Sequence, residues 1–415
     1  MTYPRMHRVR QTFAREREAD PRAAVARELQ RVSGSLNFKP GARIGITAGS
    51  RGIRDIAVIV RALVDGLRAA GAAPFVFPAM GSHGGATADG QTAVLRHYAM
   101  TDETLGCPVL SGMETVLLGT SADGIPVFAD RYAAEADHVV ALNRVKAHTE
   151  FKGELESGLA KMLLIGMGKC EGARIYHGAF ADHGFDRMVT SILPMVVEKA
   201  KVILGLAILE NAYEETALIR AVLPGDILAE ERGLLRKAKE MAPRLPFDEI
   251  DVLIVDEMGK NVSGSGMDTN VLGRFYNHVA REPGKPRIKR IYVRSLTDES
   301  DGNATGIGLA DFVHQSVVQK MDVAATNKNC ITASNPEKAR IPIVCESDRA
   351  ALDVCFATIG LTRPERARAV RIRNTLRLAE LQISEAFARQ SAATEIEILD
   401  GPKPMEFEHL LSPLN

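Results

Sequence analysis

The chain has 415 residues, 46% hydrophobic and 25% charged, and its 52 basic residues balance 52 acidic ones. Such a length allows two or three domains with well-buried cores. The charge balance excludes the net field of a nucleic-acid binder and makes any polyanion an unsuitable partner.

In chain order, the Arg-rich start "MTYPRMHRVRQTFARERE" has no apolar stretch behind it, so no signal peptide is expected. "RIGITAG" (Arg43 to Gly49) reads as a strand, and "IRDIAVIVRALVDGLRAAG" as an amphipathic helix ended by Gly71. "APFVFPAMG" is the next strand, followed by a loop and a helix around "TAVLRHY". "HVVALN" (His138 to Asn143) and "KVILGLAIL" (Lys201 to Leu209) are further strands. A charged helical segment, "DILAEERGLLRKAKEMAPRLPFDEI", reads as a connector and closes with Pro243 and Pro246. "DVLIVDEMG", "RIYVRSL", "IPIVCES", "ARAVRIRNT" and "EIEILD" then repeat the strand pattern, with helices such as "DRAALDVCFATIG" between them.

Strands alternating with helices predict an α/β protein with parallel or mixed sheets covered on both faces. The boundary falls near residue 245, giving domains of residues 1–245 and 246–415. Sites in such folds sit where strand C-termini open into loops, or between domains, so the cleft between the two is the expected place. No run of about 18 uncharged apolar residues occurs, so no membrane span and no membrane partner are expected. Five cysteines (Cys107, Cys170, Cys330, Cys345 and Cys355) form no Cys-x-x-Cys pair and are odd in number. That fits reduced thiols in a cytoplasmic protein.

Four stretches could carry chemistry. "TAGSRGIRD" joins a strand end to a helix start, a natural anion site where Arg51 could fork onto a carboxylate or phosphate; because this is no Gly-x-Gly-x-x-Gly, a strand–helix turn with a solvated arginine is the commoner reading. "AMGSHGGAT" sets His83 among glycines, either as a general base near neutral pH or as a cap on the next helix. "NRVKAHTEFKGELES" follows a strand and carries Lys146, His148, Glu150, Lys152 and Glu154; solvated surface is its bland reading. "ESGLAKMLLIGMG" puts Lys161 in an apolar run, where the ammonium either snorkels out or serves as a nucleophile or covalent anchor. Zinc is a poor fit, because His148 and His177 are too far apart for His-Glu-x-x-His and no cysteine cluster completes a set. A serine hydrolase is also weak, since Gly-x-Ser-x-Gly is absent.

The order of these residues resembles the nickel-dependent lactate racemase family. An arginine after the first strand, Gly-x-His, a histidine loop, Ser-Gly-x-x-Lys and a histidine sixteen positions further on follow one another between Arg43 and Phe180. The resemblance implies a nickel-pincer nucleotide, a pyridinium mononucleotide joined to Lys161 as a thioamide, with Ser157 and Gly158 beside it. By that resemblance His177 would be the protein ligand to Ni(II), whose planar four-coordinate preference suits two sulfurs, a ring carbon and an imidazole. His83 and His148 would be acid/base partners on opposite faces of the substrate. Arg51 would hold the substrate carboxylate or the cofactor. A neutral thioamide on Lys161 would suit the apolar setting.

The implied reaction is racemisation or epimerisation of a 2-hydroxy acid by reversible hydride transfer to the cofactor, loaded by separate biosynthesis enzymes. In "VSGSGMDTNVLGRF", Asp268 and Asn270 match the family's Asp-x-Asn, while Leu272 and Gly273 stand where a tyrosine and a glutamine are expected, and Arg274 could supply a cation. The thirteen-residue spacing from His148 to Lys161 also exceeds that of the lactate enzymes and implies a reshaped loop. The substrate therefore stays open between lactate and a larger 2-hydroxy acid or sugar acid. A nickel-pincer oxidoreductase or other isomerase, and a non-enzymatic nucleotide- or metal-binding protein, are the alternatives. Two candidate bases argue against the last.

Overall fold

The computed structural model of the protein describes residues 2–275, 284–388 and 396–407, apart from the side chains of residues 177 and 181–183. Two compact units are present, one of residues 14–242 and one combining residues 1–13 with 243–415. The first strand, β1 (Met6–Gln11), belongs to the second of these.

The unit of residues 14–242 contains β2 (Arg43–Ala48), β3 (Ala73–Pro78), β4 (Thr115–Thr120), β5 (Pro126–Asp130), β6 (His138–Arg144), β7 (Val202–Glu210) and β8 (Thr216–Val222). Five of these form one sheet in the order β3-β2-β6-β7-β8. The first four run parallel and β8 closes the edge antiparallel. β4 and β5 make a separate antiparallel ribbon. Both faces of the main sheet are covered, which is why β2 and β3 are nearly continuous apolar runs. The helix Ile56–Ala69 supplies one cover through Ile56, Ile59, Val60, Leu63, Val64 and Leu67, a helical-period stripe. On the other face, the segment from Leu159 to Met167 packs with Ile192, Val196 and Leu235.

The chain leaves β2 for β3 on one side and returns to β6 on the other. That reversal creates a crevice at the C-terminal ends of β2 and β6, where ligands bind in open α/β sheets.

The other unit has an eight-stranded sheet built from β1 with β9 (Glu249–Val255), β10 (Arg287–Val293), β11 (Phe312–His314), β12 (Ile343–Cys345), β13 (Ala369–Ile372), β14 (Glu380–Ser384) and β15 (Ile396–Lys403). Its order is β12-β11-β10-β9-β13-β14-β1-β15. β9 to β13 pair parallel, and β14, β1 and β15 antiparallel. Both units are thus α/β with mixed sheets, as the alternating pattern predicts. Among the described residues no helix is long and apolar enough to cross a membrane.

Candidate functional site

The loops after β2, β3 and β6 converge on the segment that carries Lys161. Lys161 ends a short turn, Leu159–Lys161, and the chain continues as a π-helical stretch, Met162–Gly166, before the helix Lys169–His183. Such π-helical turns are uncommon and cluster at functional sites. Here the wide turn places Gly166 against the loop after β3, whose Gly81 N–H donates to the Gly166 carbonyl at 3.1 Å. A Cβ on Gly166 would lie 2.5 Å from the Ala79 carbonyl oxygen, so no larger residue fits this approach.

The twelve residues between His148 and Lys161 form a pinched loop. Lys146 and Ser157 close its neck with reciprocal backbone bonds of 2.9 and 3.2 Å. Inside it, Glu156 is 1% exposed and accepts the His148 N–H at 2.5 Å, while Lys239 reaches its other oxygen at 2.6 Å. Phe151 stacks on the His148 ring with centroids 3.8 Å apart, and Phe185 stacks on Phe151 at 4.2 Å. This wall sets His148 Nε2 2.6 Å from Lys161 Nζ. Burial pushes the Lys161 ammonium down to about 8. The carboxylates of Glu150 and Glu156 oppose that shift, and the cations of Arg51 and Lys146 add to it.

Glu231, on the helix Ile227–Met241, underlies the start of this segment. Its carboxyl accepts the Ala160 N–H at 2.9 Å, doing the work of an N-cap on a turn that has none of its own. It approaches so closely that a Cβ on Gly158 would sit 2.4 Å from it. Burial pushes the carboxyl up to about 7.

His83 stands on a second, more open loop. Its Nδ1 is hydrogen-bonded to the Ser50 hydroxyl, which joins the loop after β3 to the loop that carries Arg51. Beneath it lies a buried node at Lys169. This ammonium donates to the Pro78 carbonyl at 2.5 Å and to Gln91 Oε1 at 2.9 Å, and pairs with Asp130 at 3.0 Å. Gln91 passes the restraint on, donating to the carbonyls of Gly81 at 2.9 Å and His83 at 3.2 Å. Burial drives the Lys169 ammonium down and the Asp130 carboxyl up, and each charge partly restores the other. Lys169 also has φ of +52°, a left-handed backbone that a residue with a side chain rarely adopts.

The structure thus pairs His148 with Lys161, places Ser157 and Gly158 at the start of the turn that ends in Lys161, and links His83 to the Arg51 loop. Arg51 itself is exposed. His177 lies on the helix Lys169–His183, and its side chain is outside the described residues. Asp268, Asn270 and Arg274 belong to the other unit. Asp268 accepts the Asn270 backbone N–H at 2.8 Å and its side-chain N–H at 2.7 Å, forming the cap of Thr269–Leu272. The Arg274 guanidinium donates to Asp311 at 2.9 Å and to the carbonyls of Leu309 and Ile288 at 2.8 and 3.1 Å. Reading by motif overlooks Phe151, Lys169, Gln91 and Glu231. A lysine in "GMGKCEG" and a glutamate in a charged helix carry no local sign of burial.

Residues 13–188 match the family model of the lactate racemase N-terminal domain. The solved structure of the lactate racemase apoprotein from Thermoanaerobacterium thermosaccharolyticum is similar over 87% of this chain and 92% of that one, with 14% identity and a TM-score of 0.54, which shows a shared fold. A protein from Thermotoga maritima is similar over 67% of this chain and 71% of its own, with 14% identity and a TM-score of 0.47. No curated protein sequence matches.

Proposed function

We propose that this chain, a member of the lactate racemase-like family, is a racemase or epimerase of a 2-hydroxy acid that works with a nickel-pincer nucleotide held on Lys161. One observation supports this above the rest: a half-buried lysine amine, pushed down to about 8, lies 2.6 Å from an imidazole at the sheet's switch point. A lysine with a depressed pKa is the form that acyl chemistry needs. It also fits a group that, once attached, leaves the nitrogen neutral in an apolar setting.

Lys161 would tether the group, with Ser157 and Gly158 beside it, and His177 would supply the protein nitrogen to Ni(II). When bound, the cofactor supplies reversible hydride acceptance from the substrate α-carbon. The chain's own residues would do the rest. Arg51 forks onto the substrate carboxylate. Its exposure at the rim lets a charged ligand reach it before entering. His83 Nδ1 is held by Ser50, so its proton exchange with the substrate hydroxyl would run through Nε2. His148 Nδ1 accepts from the Glu150 N–H, so Nε2 is the atom that faces the site, and proton uptake there would require the ring to release that N–H and carry its proton on Nδ1. The aromatic wall of Phe151 and Phe185 keeps water from one side of that imidazole. Two bases are required because two enantiomers present their hydroxyls on opposite sides.

The test is to purify the protein from a host that makes the cofactor, then measure intact mass, map the Lys161 peptide and determine nickel. A nucleotide-sized adduct on Lys161 with about one nickel per chain is expected, since one anchor and one protein ligand define one centre. Chiral chromatography of a panel of 2-hydroxy acids then follows interconversion, which His83→Ala and His148→Ala should each abolish. An unmodified Lys161 without nickel, despite a working pathway, would overturn the proposal in favour of a binding protein.

A further inference from the structure

His148 is engaged at both ring nitrogens. Nδ1 accepts the Glu150 backbone N–H at 3.1 Å, and Nε2 faces Lys161 Nζ at 2.6 Å. A nitrogen that accepts a hydrogen bond carries no proton, so the ring carries its proton on Nε2. That N–H points at the lysine nitrogen, and only a lone pair can receive it. An ammonium has none. An imidazolium is excluded on the same ground, because its Nδ1–H would meet the Glu150 N–H head on.

We infer that His148 has a task that precedes turnover: its Nε2–H holds Lys161 as the free amine, which makes His148 the positioning residue for acylation of the anchor. This rests on the reading of Lys161 as the anchor. The surroundings divide on the matter. Glu150, Glu156 and the Phe151 face, 5.5 Å from Nζ, favour an ammonium. Burial, Arg51 and Lys146 favour the amine. The hydrogen bond from Nε2 acts on the side of the amine, and does so with direction, fixing where the nitrogen sits. In the loading step the amine turns its lone pair from Nε2 to the carbon of an activated acyl or thioacyl donor. The C–N bond forms, the leaving group departs with its bonding pair, and the nitrogen's surplus proton passes to water.

Competitive labelling of the full-length protein, made without the cofactor pathway, tests this. Trace acetic anhydride is applied from pH 6 to 10 and the Lys161 peptide is quantified by mass spectrometry. The amine attacks a carbonyl carbon and acetate leaves. A titration midpoint near 8 replaces the ordinary 10.5, so at pH 7.5 Lys161 should hold on the order of a hundred-fold more free amine than a surface lysine. His148→Phe keeps a flat ring on Phe151 and removes the donor, and the midpoint should then rise by about one pH unit.

A midpoint that falls in His148→Phe would mean that the wild-type imidazole accepts from an ammonium, and would overturn the inference. An unchanged midpoint would overturn it too. A measurement on the wild-type chain needs no variant to fold: in histidine-labelled protein, long-range proton–nitrogen NMR should show a pyridine-like Nδ1 at His148, and a pyridine-like Nε2 would refute the assignment. The functional reading fails separately. A confirmed tautomer with no adduct on Lys161 in the loading host sinks only that reading, and an adduct with the opposite tautomer sinks only this one.

Discussion

Replacing Glu231 by glutamine should abolish one specific dependence of stability on pH. Glu231 is 1% exposed, and its carboxyl is pushed from 4.5 to about 7 by burial, against the pull of the Ala160 and Leu159 N–H groups. A group whose folded pKa is raised favours the fold fully below its unfolded pKa, and that contribution is lost as pH rises through the folded value. For Glu231 the window is pH 4.5 to 7. A shift of this size corresponds to about 3 kcal/mol lost across the window from this one group. Glutamine keeps an acceptor for the Ala160 N–H and cannot ionise, so the cap survives while the pH dependence goes. Urea unfolding of both full-length proteins, followed by far-ultraviolet circular dichroism at half-unit steps from pH 4.5 to 8, gives the difference in stability between them. That difference should move in favour of glutamine by about 3 kcal/mol as pH rises. Parallel curves across the window would refute the reasoning, because they would mean that the carboxyl is solvated in the fold.

Two further predictions concern the supports of the site. Lys169→Met strips the ammonium from a buried pair and leaves Asp130, Gln91 and the Pro78 carbonyl unanswered; thermal unfolding should show a loss of about 3–5 kcal/mol. In Lys169→Met/Asp130→Leu the loss should be smaller than the sum of the two single changes, and strict additivity would refute the pairing. Gly166→Ala would gain up to about 1 kcal/mol if helix propensity alone decided. The clash of its Cβ with the Ala79 carbonyl should instead cost about 1–3 kcal/mol, read as a lower Tm.

The four parallel strands of the first unit were legible because each is buried on both faces and therefore reads as an unbroken apolar run; "HVVALN" and "KVILGLAIL" coincide with β6 and β7 to within a residue or two. Lys161 was legible for the opposite reason, as one charge inside such a run. What could not be read locally depends on partners far along the chain. β1 pairs with β14 and β15, 370 or more residues away, and its own residues read only as part of an arginine-rich start. β8, "TALIRAV", alternates too loosely to announce an edge strand. Glu231 meets Ala160 across 71 residues and Lys169 meets Gln91 across 78, so neither shows in a window of helical or strand length. The spacing of thirteen between His148 and Lys161 pointed to a reshaped loop, and the Lys146–Ser157 neck with Glu156 at its centre is the physical form that loop takes.

These supports share an electrostatic logic. Along the segment that starts at Gly158, burial drives a carboxyl at one end up to about 7 and an amine three residues on down to about 8, so both titrate close to neutral pH. A lysine that titrates near 8 holds more reactive amine at neutral pH than an ordinary one, and a nearby anion works against this by favouring the ammonium. Glu150 and Glu156 are near enough to do that, yet Glu156 is turned to the His148 backbone and to Lys239, which spends its charge on holding the loop. The exposed cation, Arg51, stays at the rim, where it can meet a carboxylate still in water and adds to the depression at Lys161 instead of relieving it. The dry floor and the charged rim are therefore one design. A carboxylate added to the floor would raise Lys161 back toward its ordinary value, and drawing Arg51 further in would add to the desolvation that already pushes its guanidinium down.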